Sequence, residues 1–397
     1  MRVGLVALLA ALLVSACSPN PGPTPGASGA RSTPSPSRPA TALPAASNQG
    51  AGAALDVQLI PQDWTTPMLG ASTDGTEVIW SRGGDSENGA PDLYGFVPGA
   101  TAPTLIYKGP DRTAQLIPIA VHHGKYAFLE SYPLADGSGG WRLLYVAAAG
   151  AGPTLIDSNV ADPHPFSAAP LVWMTLTDAR LIWSVVHQTP AGPHSYLRSY
   201  DLKTGETRNL ADADAAHTEY WLPNADDTGR LVFGTVEYGA GASPDQPAFH
   251  VYLAQVGAGA LVATRLDPDG NSTEPVLSGD TVIWKSVTRN NVVSGGQLSR
   301  YSLSSGMSSP LSFGDQAYEN DPTAGSRFVA AWLPDETDFE LFDLDANAPL
   351  LVERHEPASH RGVVRPVVAG DLLVFIRVDI NAGADLQLCW ARLPASS

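Results

Sequence analysis

A repeated unit constrains the fold of this chain more than any other feature of its sequence. Each unit has a proline, then a turn of small residues or Asp-Gly, then an apolar run with an aromatic residue, as in "EPVLSGDTVIW" and "RPVVAGDLLVF". Seven such units follow one another, with their prolines at Pro67, Pro118, Pro170, Pro223, Pro275, Pro322 and Pro366. A period of about 50 residues is typical of a repeat architecture in which each unit is one supersecondary element.

Each unit contains enough apolar segments for a small antiparallel sheet. The aromatic residues of the first apolar runs are Trp80, Phe128, Trp183, Phe233, Trp284, Trp332 and Phe375. A second run that ends in a turn follows, as in "YLRSYDLKTGE", and the first six units have a third, as in "APLLVER". With the strand after the proline, each of the first six units has four short strands, and the units show almost no helical periodicity. The sequence therefore predicts an all-β fold, a seven-bladed β-propeller with four-stranded antiparallel blades.

The last unit lacks one strand, and the start of the repeat region can supply it. The seventh unit ends at "LQLCWARLPASS", its third strand, whereas "LDVQLIP" precedes the first proline, where other units keep their outer strand. We expect residues 55–60 to form the outer strand of the last blade, since this closes the ring and protects an open sheet edge. Cys389, within the final apolar run, is interpreted as a buried structural thiol.

Several turns and strands resemble those of a known propeller family. "ASTDGTEVIW", "ADDTGRLVF" and "YDLKTGE" resemble the TolB-like propeller family, whose repeat runs Pro, aromatic, Ser, Pro, Asp, Gly and then an apolar strand. The resemblance covers the chain from about residue 55 to its end. No Trp-Asp dipeptide occurs in the sequence, so the WD40 repeat is not the match.

The N-terminal segment has the features of an exported lipoprotein. Arg2 precedes a short apolar run, and "VSAC" at residues 14–17 resembles the bacterial lipobox, in which the Cys is lipidated. Residues 1–16 are therefore predicted to be a lipoprotein signal peptide, and Cys17 the lipidation site. The alternative is an ordinary signal peptide that is cut near Ala16. The first reading places the protein on the extracytoplasmic side of a cell membrane, periplasmic or at the cell surface, held by lipid.

A tether and an acidic domain follow the leader. Residues 17–53 are predicted to be a disordered tether, because residues 18–53 contain eight prolines and neither acidic nor aromatic residues. Residues 54–397, the predicted propeller domain, contain all 40 acidic residues and 20 of the 23 basic ones. This excess of negative charge argues against a nucleic acid as partner.

No catalytic motif stands out in the domain. The sequence has no Gly-x-Ser-x-Gly elbow, His-Glu-x-x-His, P-loop or Cys-x-x-Cys. We therefore expect a monomeric binding or scaffolding module for an envelope protein, peptide or glycan, without a cofactor, rather than an enzyme. The alternative is a carbohydrate-active propeller enzyme, a lyase or hydrolase, that uses histidine and acidic residues at the rim.

The predicted blades have two unequal faces. With strands a to d running outward, the a–b and c–d turns form a short-turn face, and the longer b–c and d–a loops form a long-loop face. Long loops on a rigid scaffold are where binding residues concentrate, so we place the candidate site there. Its predicted residues lie ahead of the repeat prolines and are Trp64, His164, His217, Tyr220, Trp221, Glu319, His360 and Arg365.

Histidines occur at a repeated position on the long-loop face. His164, His217 and His360 each precede a repeat proline by six residues. They are either a metal or general-base cluster, or a loop position at which His is tolerated; we expect the second, and no metal site. His122 and His123 lie in an a–b turn on the short-turn face and are interpreted as turn residues.

Overall fold

The computed structural model describes fourteen segments of the chain. They are residues 55–61, 68–83, 90–110, 114–133, 139–160, 172–238, 247–257, 259–267, 271–286, 297–311, 320–333, 338–353, 361–379 and 385–394. All regular elements in these segments are β-strands. None of the described residues belongs to a helix with the length and apolar character needed to cross a membrane. The propeller lies within a compact unit, Gly52–Ser397.

The first three blades are four-stranded antiparallel sheets whose strands follow chain order. The strand β1 (Gln58–Leu59) precedes them. Blade 1 contains β2 (Met68–Thr73), β3 (Val78–Arg82), β4 (Asp92–Phe96) and β5 (Thr104–Lys108). Blade 2 contains β6 (Gln115–His122), β7 (Lys125–Pro133), β8 (Gly139–Val146) and β9 (Thr154–Ser158). Blade 3 contains β10 (Trp173–Leu176), β11 (Arg180–Thr189), β12 (Gly192–Asp201) and β13 (Thr207–Asp214).

The next three blades repeat this order. Blade 4 contains β14 (Thr218–Ala225), β15 (Arg230–Glu237), β16 (Ala248–Gln255) and β17 (Ala263–Arg265). Blade 5 contains β18 (Ser272–Ser278), β19 (Thr281–Ser286), β20 (Gln297–Ser302) and β21 (Ser308–Pro310). Blade 6 contains β22 (Asn320–Ala324), β23 (Phe328–Leu333), β24 (Asp338–Asp343) and β25 (Ala348–Glu353).

Blade 7 is completed by the N-terminal strand, as the sequence predicts. It contains β26 (Arg361–Ala369), β27 (Leu372–Asp379) and β28 (Asp385–Arg392), and β1 is its fourth strand. Gln58 pairs with Trp390 and Leu59 with Cys389, which is buried. The paired strand is shorter than the predicted 55–60, but the Ile60 N–H donates a further bond to the Leu388 carbonyl at 3.0 Å.

The first strand of every blade lies innermost. The first strands contact one another in the order β2, β6, β10, β14, β18, β22 and β26, and β26 contacts β2 again. The predicted seven-bladed ring is thus confirmed. Two to four residues connect the first and second strands of each blade, so the short-turn face is built from tight turns.

The repeated aromatic residues fill the spaces between blades. Six of the seven are buried against the preceding blade: Trp80, Phe128, Trp183, Phe233, Trp284 and Phe375. The sixth unit differs, because Val329 and Ala331 of β23 pack towards blade 5. Side chains alternate along a strand, so Trp332 lies on the other face of β23.

A largely buried carboxylate also joins two blades. Asp157 of β9 accepts hydrogen bonds from Trp183 Nε1 at 2.9 Å and Arg198 Nη1 at 2.8 Å, and lies 3.3 Å from His187 Nε2. Burial alone would raise the pKa of Asp157, but its contacts with His187, Arg198 and Trp183 lower that pKa overall. A charge that is removed from water needs polar partners, and blade 3 supplies them for the carboxylate of blade 2.

We expect the ring to depend on its N-terminal strand. Deleting residues 54–61 removes the pairing with β28 and also Ile60, which is 1% exposed in the core between blades 7 and 1. The melting temperature should fall sharply in calorimetry, whereas deleting residues 18–50 should leave it unchanged. Ile60→Ala alone should cost about 2–4 kcal/mol. Equal effects of the two deletions would contradict the closure.

Candidate functional site

The structure describes three of the predicted site residues with their side chains: His217, Tyr220 and Trp221. Four others lie outside the described residues: Trp64, His164, Glu319 and His360. Arg365 belongs to β26, but its side chain is not described. Most of the longest b–c and d–a loops also lie outside the described segments. The described part of the candidate site lies in blades 3 and 4.

Trp221 lies on the inner strand of blade 4 and packs on a second tryptophan. Its ring centroid is 5.0 Å from that of Trp173, on the inner strand of blade 3, and the ring planes differ by 31°. Phe249 contacts Trp221 edge-on at 6.4 Å. Both tryptophans remain half-buried. They form an aromatic pair that joins two adjacent inner strands and remains partly exposed to solvent.

The backbone of β14 is irregular directly after Trp221. Its pairing with β15 shifts register between Trp221 and Asn224, and Leu222 has a φ of 46°. This is a β-bulge, a feature that bends a strand and redirects side chains. The bulge lies directly beside the tryptophan that contacts the neighbouring blade.

A carboxylate stands beside the aromatic pair. Glu219 accepts a hydrogen bond from Trp221 Nε1 at 3.1 Å and one from the Tyr238 hydroxyl at 3.4 Å. Burial raises the pKa of Glu219, and the bonds from Trp221 and Tyr238 oppose this only in part. The arrangement combines flat apolar area with one hydrogen-bonding group whose proton is held more tightly than that of an ordinary glutamate.

The other two described candidates do not join this pair. Tyr220 lies on the opposite side of β14, between blades 3 and 4, where its ring centroid is 6.1 Å from that of Phe233. Its N–H donates to Ser195 Oγ at 2.9 Å, so Tyr220 is part of the packing between blades. The His217 side chain is 75% exposed and lies 3.2 Å from Asp214 Oδ2 within its own turn.

Sequence reasoning missed three of the residues around Trp221. Glu219 directly precedes the predicted pair Tyr220-Trp221, and Tyr238 directly follows the next strand. Trp173 follows its repeat proline by three residues, which places it on an inner strand like Trp221. The sequence offered no clear signal for Trp173, because it follows its repeat proline whereas Trp221 precedes its own, and "VWMTL" is equally typical of a core strand.

Comparisons with known proteins identify the fold. No protein-family model matches the chain, and no curated protein matches it. The β-propeller domain of the Trilobed protease from Pyrococcus furiosus superposes with a TM-score of 0.59 and 10% identity, covering 82% of this chain and 95% of that one. A prolyl endopeptidase superposes with a TM-score of 0.55 and 15% identity, covering 80% of this chain and 46% of that one. An oligogalacturonate lyase in complex with manganese superposes with a TM-score of 0.50 and 13% identity, covering 85% of this chain and 91% of that one.

These identities are low, so the likenesses show a β-propeller and nothing finer. The chain spans about half the length of the prolyl endopeptidase. The Pyrococcus furiosus propeller has an open Velcro topology, whereas β1 completes the last blade here. TolB from Acinetobacter baumannii superposes with a TM-score of 0.43 and 12% identity, covering 81% of this chain and 78% of that one. That match is too distant to support membership of the TolB-like family.

We expect the fluorescence of Trp221 to report the ionisation of Glu219. Because burial raises the pKa of Glu219, proton uptake should begin at a higher pH than for an ordinary glutamate, whose pKa is about 4.3. The fluorescence difference between the wild type and Glu219→Gln should titrate above that value. It should vanish when both proteins also carry Trp221→Phe. A midpoint at or below about 4.3 would contradict the raised pKa.

Proposed function

We propose that this chain is an extracytoplasmic lipoprotein whose propeller binds a protein, peptide or glycan through the long-loop face. In this proposal residues 1–16 are the signal peptide, lipid on Cys17 is the anchor and the segment up to residue 53 is a tether. The proposal of a TolB-like family member rests on the repeat sequence alone. The anchor rests on the lipobox-like "VSAC".

The aromatic pair of Trp173 and Trp221 is the observation that carries the binding proposal. Two half-buried indole rings in contact offer flat apolar area at little cost in conformational entropy, which suits the apolar face of a sugar ring or an aromatic or proline side chain. Glu219 adds a hydrogen-bonding group directly beside the rings. A few polar groups around an apolar surface are what orients a ligand.

The ligand class is supported by analogy of fold alone. The structures with similar propellers include peptidases and an oligogalacturonate lyase, proteins that handle peptides and saccharides. Both classes of ligand present surfaces that stack on aromatic rings. The excess negative charge of the domain favours a neutral or cationic ligand over a strongly anionic one.

Glu219 favours an alternative, a carbohydrate-active enzyme. A carboxyl group whose pKa is raised by burial is suited to donate a proton to a leaving oxygen, and an aromatic pair beside it could position a sugar. One variant distinguishes the enzyme from the binding module. Glu219→Gln should abolish turnover and retain binding in an enzyme, whereas in a binding module it alters affinity and no product forms with wild type or variant.

The anchor makes a direct prediction. Cys17→Ser removes the thiol to which the lipid of the proposed anchor attaches, and it should release the protein from the membrane fraction after a carbonate wash. The melting temperature should not change, because Cys17 lies outside the compact unit Gly52–Ser397. A variant that remains in the washed membranes would show that the lipoprotein assignment is wrong.

The aromatic pair predicts a loss of binding on truncation. Residues 54–397 should capture a ligand from an envelope extract or a glycan array. Trp221→Ala and Trp173→Ala should each weaken that binding by at least about tenfold, because buried aromatic anchors dominate such interfaces. Leu155→Ala, on the outer strand of blade 2, is the matched control with an exposed apolar side chain and should bind normally. If the tryptophan variants fold and bind like the control, the site is elsewhere.

A further inference from the structure

A second group of titratable side chains lies on the short-turn face, where the inner turns of blades 2, 3 and 4 are neighbours. His122 ends β6 and His123 follows it, Asp178 lies in the turn between β10 and β11, and Asp227 lies in the turn between β14 and β15. The His123 N–H donates to Asp74 Oδ2 of blade 1 at 2.7 Å. Side chains from successive turns therefore meet across the blade boundaries.

The hairpin between β6 and β7 brings two imidazole rings together. Its two loop residues, His123 and Gly124, have φ values of 47° and 71°, the left-handed conformation that two-residue hairpins require. Successive side chains of an extended strand point to opposite faces. In this turn, instead, the ring centroids of His122 and His123 are 4.2 Å apart.

A carboxylate from the next blade faces both rings. Asp178 Oδ1 lies 3.1 Å from His123 Nδ1 and 3.5 Å from His122 Nε2. Each of these three residues offers one ligand atom that lies within 4.8 Å of a ligand atom of the other two. A tetrahedral zinc ion with bonds of about 2.05 Å separates its ligand atoms by about 3.3 Å, so the distances from Asp178 Oδ1 to the two imidazole nitrogens are near those of a coordination shell.

His122 Nε2 lacks an aligned hydrogen bond. The atom is buried, and no described residue gives it a hydrogen bond of acceptable geometry, although Asp227 Oδ1 is only 3.0 Å away. Asp227 Oδ1 also accepts the Asp178 N–H at 2.7 Å, so Asp227 holds the turn that presents Asp178. A buried nitrogen between two carboxylates is suited to donate its lone pair to a cation.

We propose that His122 Nε2, His123 Nδ1 and Asp178 Oδ1 form a site for a divalent transition-metal cation, with Zn²⁺ as the best fit. Two imidazole nitrogens and one carboxylate oxygen are zinc ligands, and a set of three leaves a fourth position for water or another group. Asp227 acts on this site by positioning Asp178. The ion would link blade 2 to blade 3 where their first strands end at the short-turn face.

Lys125 makes this proposal sharply testable. Its Nζ lies 3.0 Å from Asp178 Oδ1, the same oxygen that faces the imidazoles, and also donates to the Asp178 carbonyl at 3.1 Å. The ammonium group therefore competes with a metal ion for Asp178. Removing it should tighten metal binding.

The experiment titrates Zn²⁺ into the tag-free full-length chain, purified in detergent and stripped with a chelator. Calorimetry should show one Zn²⁺ per chain, with Mg²⁺ giving no heat. His122→Gln and His123→Asn should each weaken binding by at least about tenfold, since each removes one of three ligands. Asparagine is used because it tolerates the left-handed turn. Lys125→Met should bind more tightly than wild type.

The matched control is His194→Ala, which removes a histidine of β12 at the long-loop end of blade 3 and should leave Zn²⁺ affinity unchanged. Circular dichroism and melting without metal establish that each variant folds. If His123→Asn does not fold, His122→Gln decides the question. The site would be overturned if the wild type did not bind Zn²⁺, or if both histidine variants bound Zn²⁺ as tightly as the wild type. Weaker binding by a folded Lys125→Met would also overturn it.

Discussion

The packing of each blade against two others is the constraint on which this structure depends. A blade is a small sheet with apolar side chains on both faces, so it is stable only between neighbours. The ring must therefore close, and β1 closes it by hydrogen bonding to β28. The N-terminal segment also supplies Leu55 and Val57 to the core between blades 6 and 7, and Ile60 to the core between blades 7 and 1. The two ends of the domain are thus stabilised together.

Close packing of the inner turns leaves little freedom on the short-turn face. A Cβ atom added to Gly75 would lie 2.8 Å from the Ala369 carbonyl, and one on Gly325 would clash with the backbone of Gly370. Backbone thus meets backbone around blades 6, 7 and 1. Around blades 1 to 4 side chains make these contacts instead, at residues 74, 123, 178 and 227, which are 49 to 55 residues apart. The same constraint that closes the ring also brings together chemically active groups from successive repeats.

Periodicity predicted the blades because each repeat carries its own strands, turns and interface aromatic. The fourth strand of blade 7 could be predicted because the seventh repeat has only three strands and one strand precedes the first repeat. The repeat fails in blade 6, where β23 presents Val329 and Ala331 to blade 5 and Trp332 lies on the other face, because a shift of one residue reverses every side chain of a strand. The contact of Trp173 with Trp221, and that of His123 with Asp178, could not be predicted. Both depend on the register between separate blades, which spacing in sequence does not determine.

The aromatic pair and the proposed metal site are connected through the same inner strands, β10 and β14. Trp173 begins β10, and Asp178 lies five residues further along, roughly 16 Å away along an extended strand. Trp221 and Asp227 have a similar relation along β14, with a bulge between them. A cation that fixes Asp178 against blade 2 would also fix the turn that ends β10, and Asp227 would pass that restraint to β14 through its bond to the Asp178 N–H. Metal occupancy at one end of the strands would then restrict how the tryptophans move at the other. By linkage, any change that the metal causes in the affinity for a ligand at the tryptophan pair would be matched by an equal change that the ligand causes in the affinity for the metal.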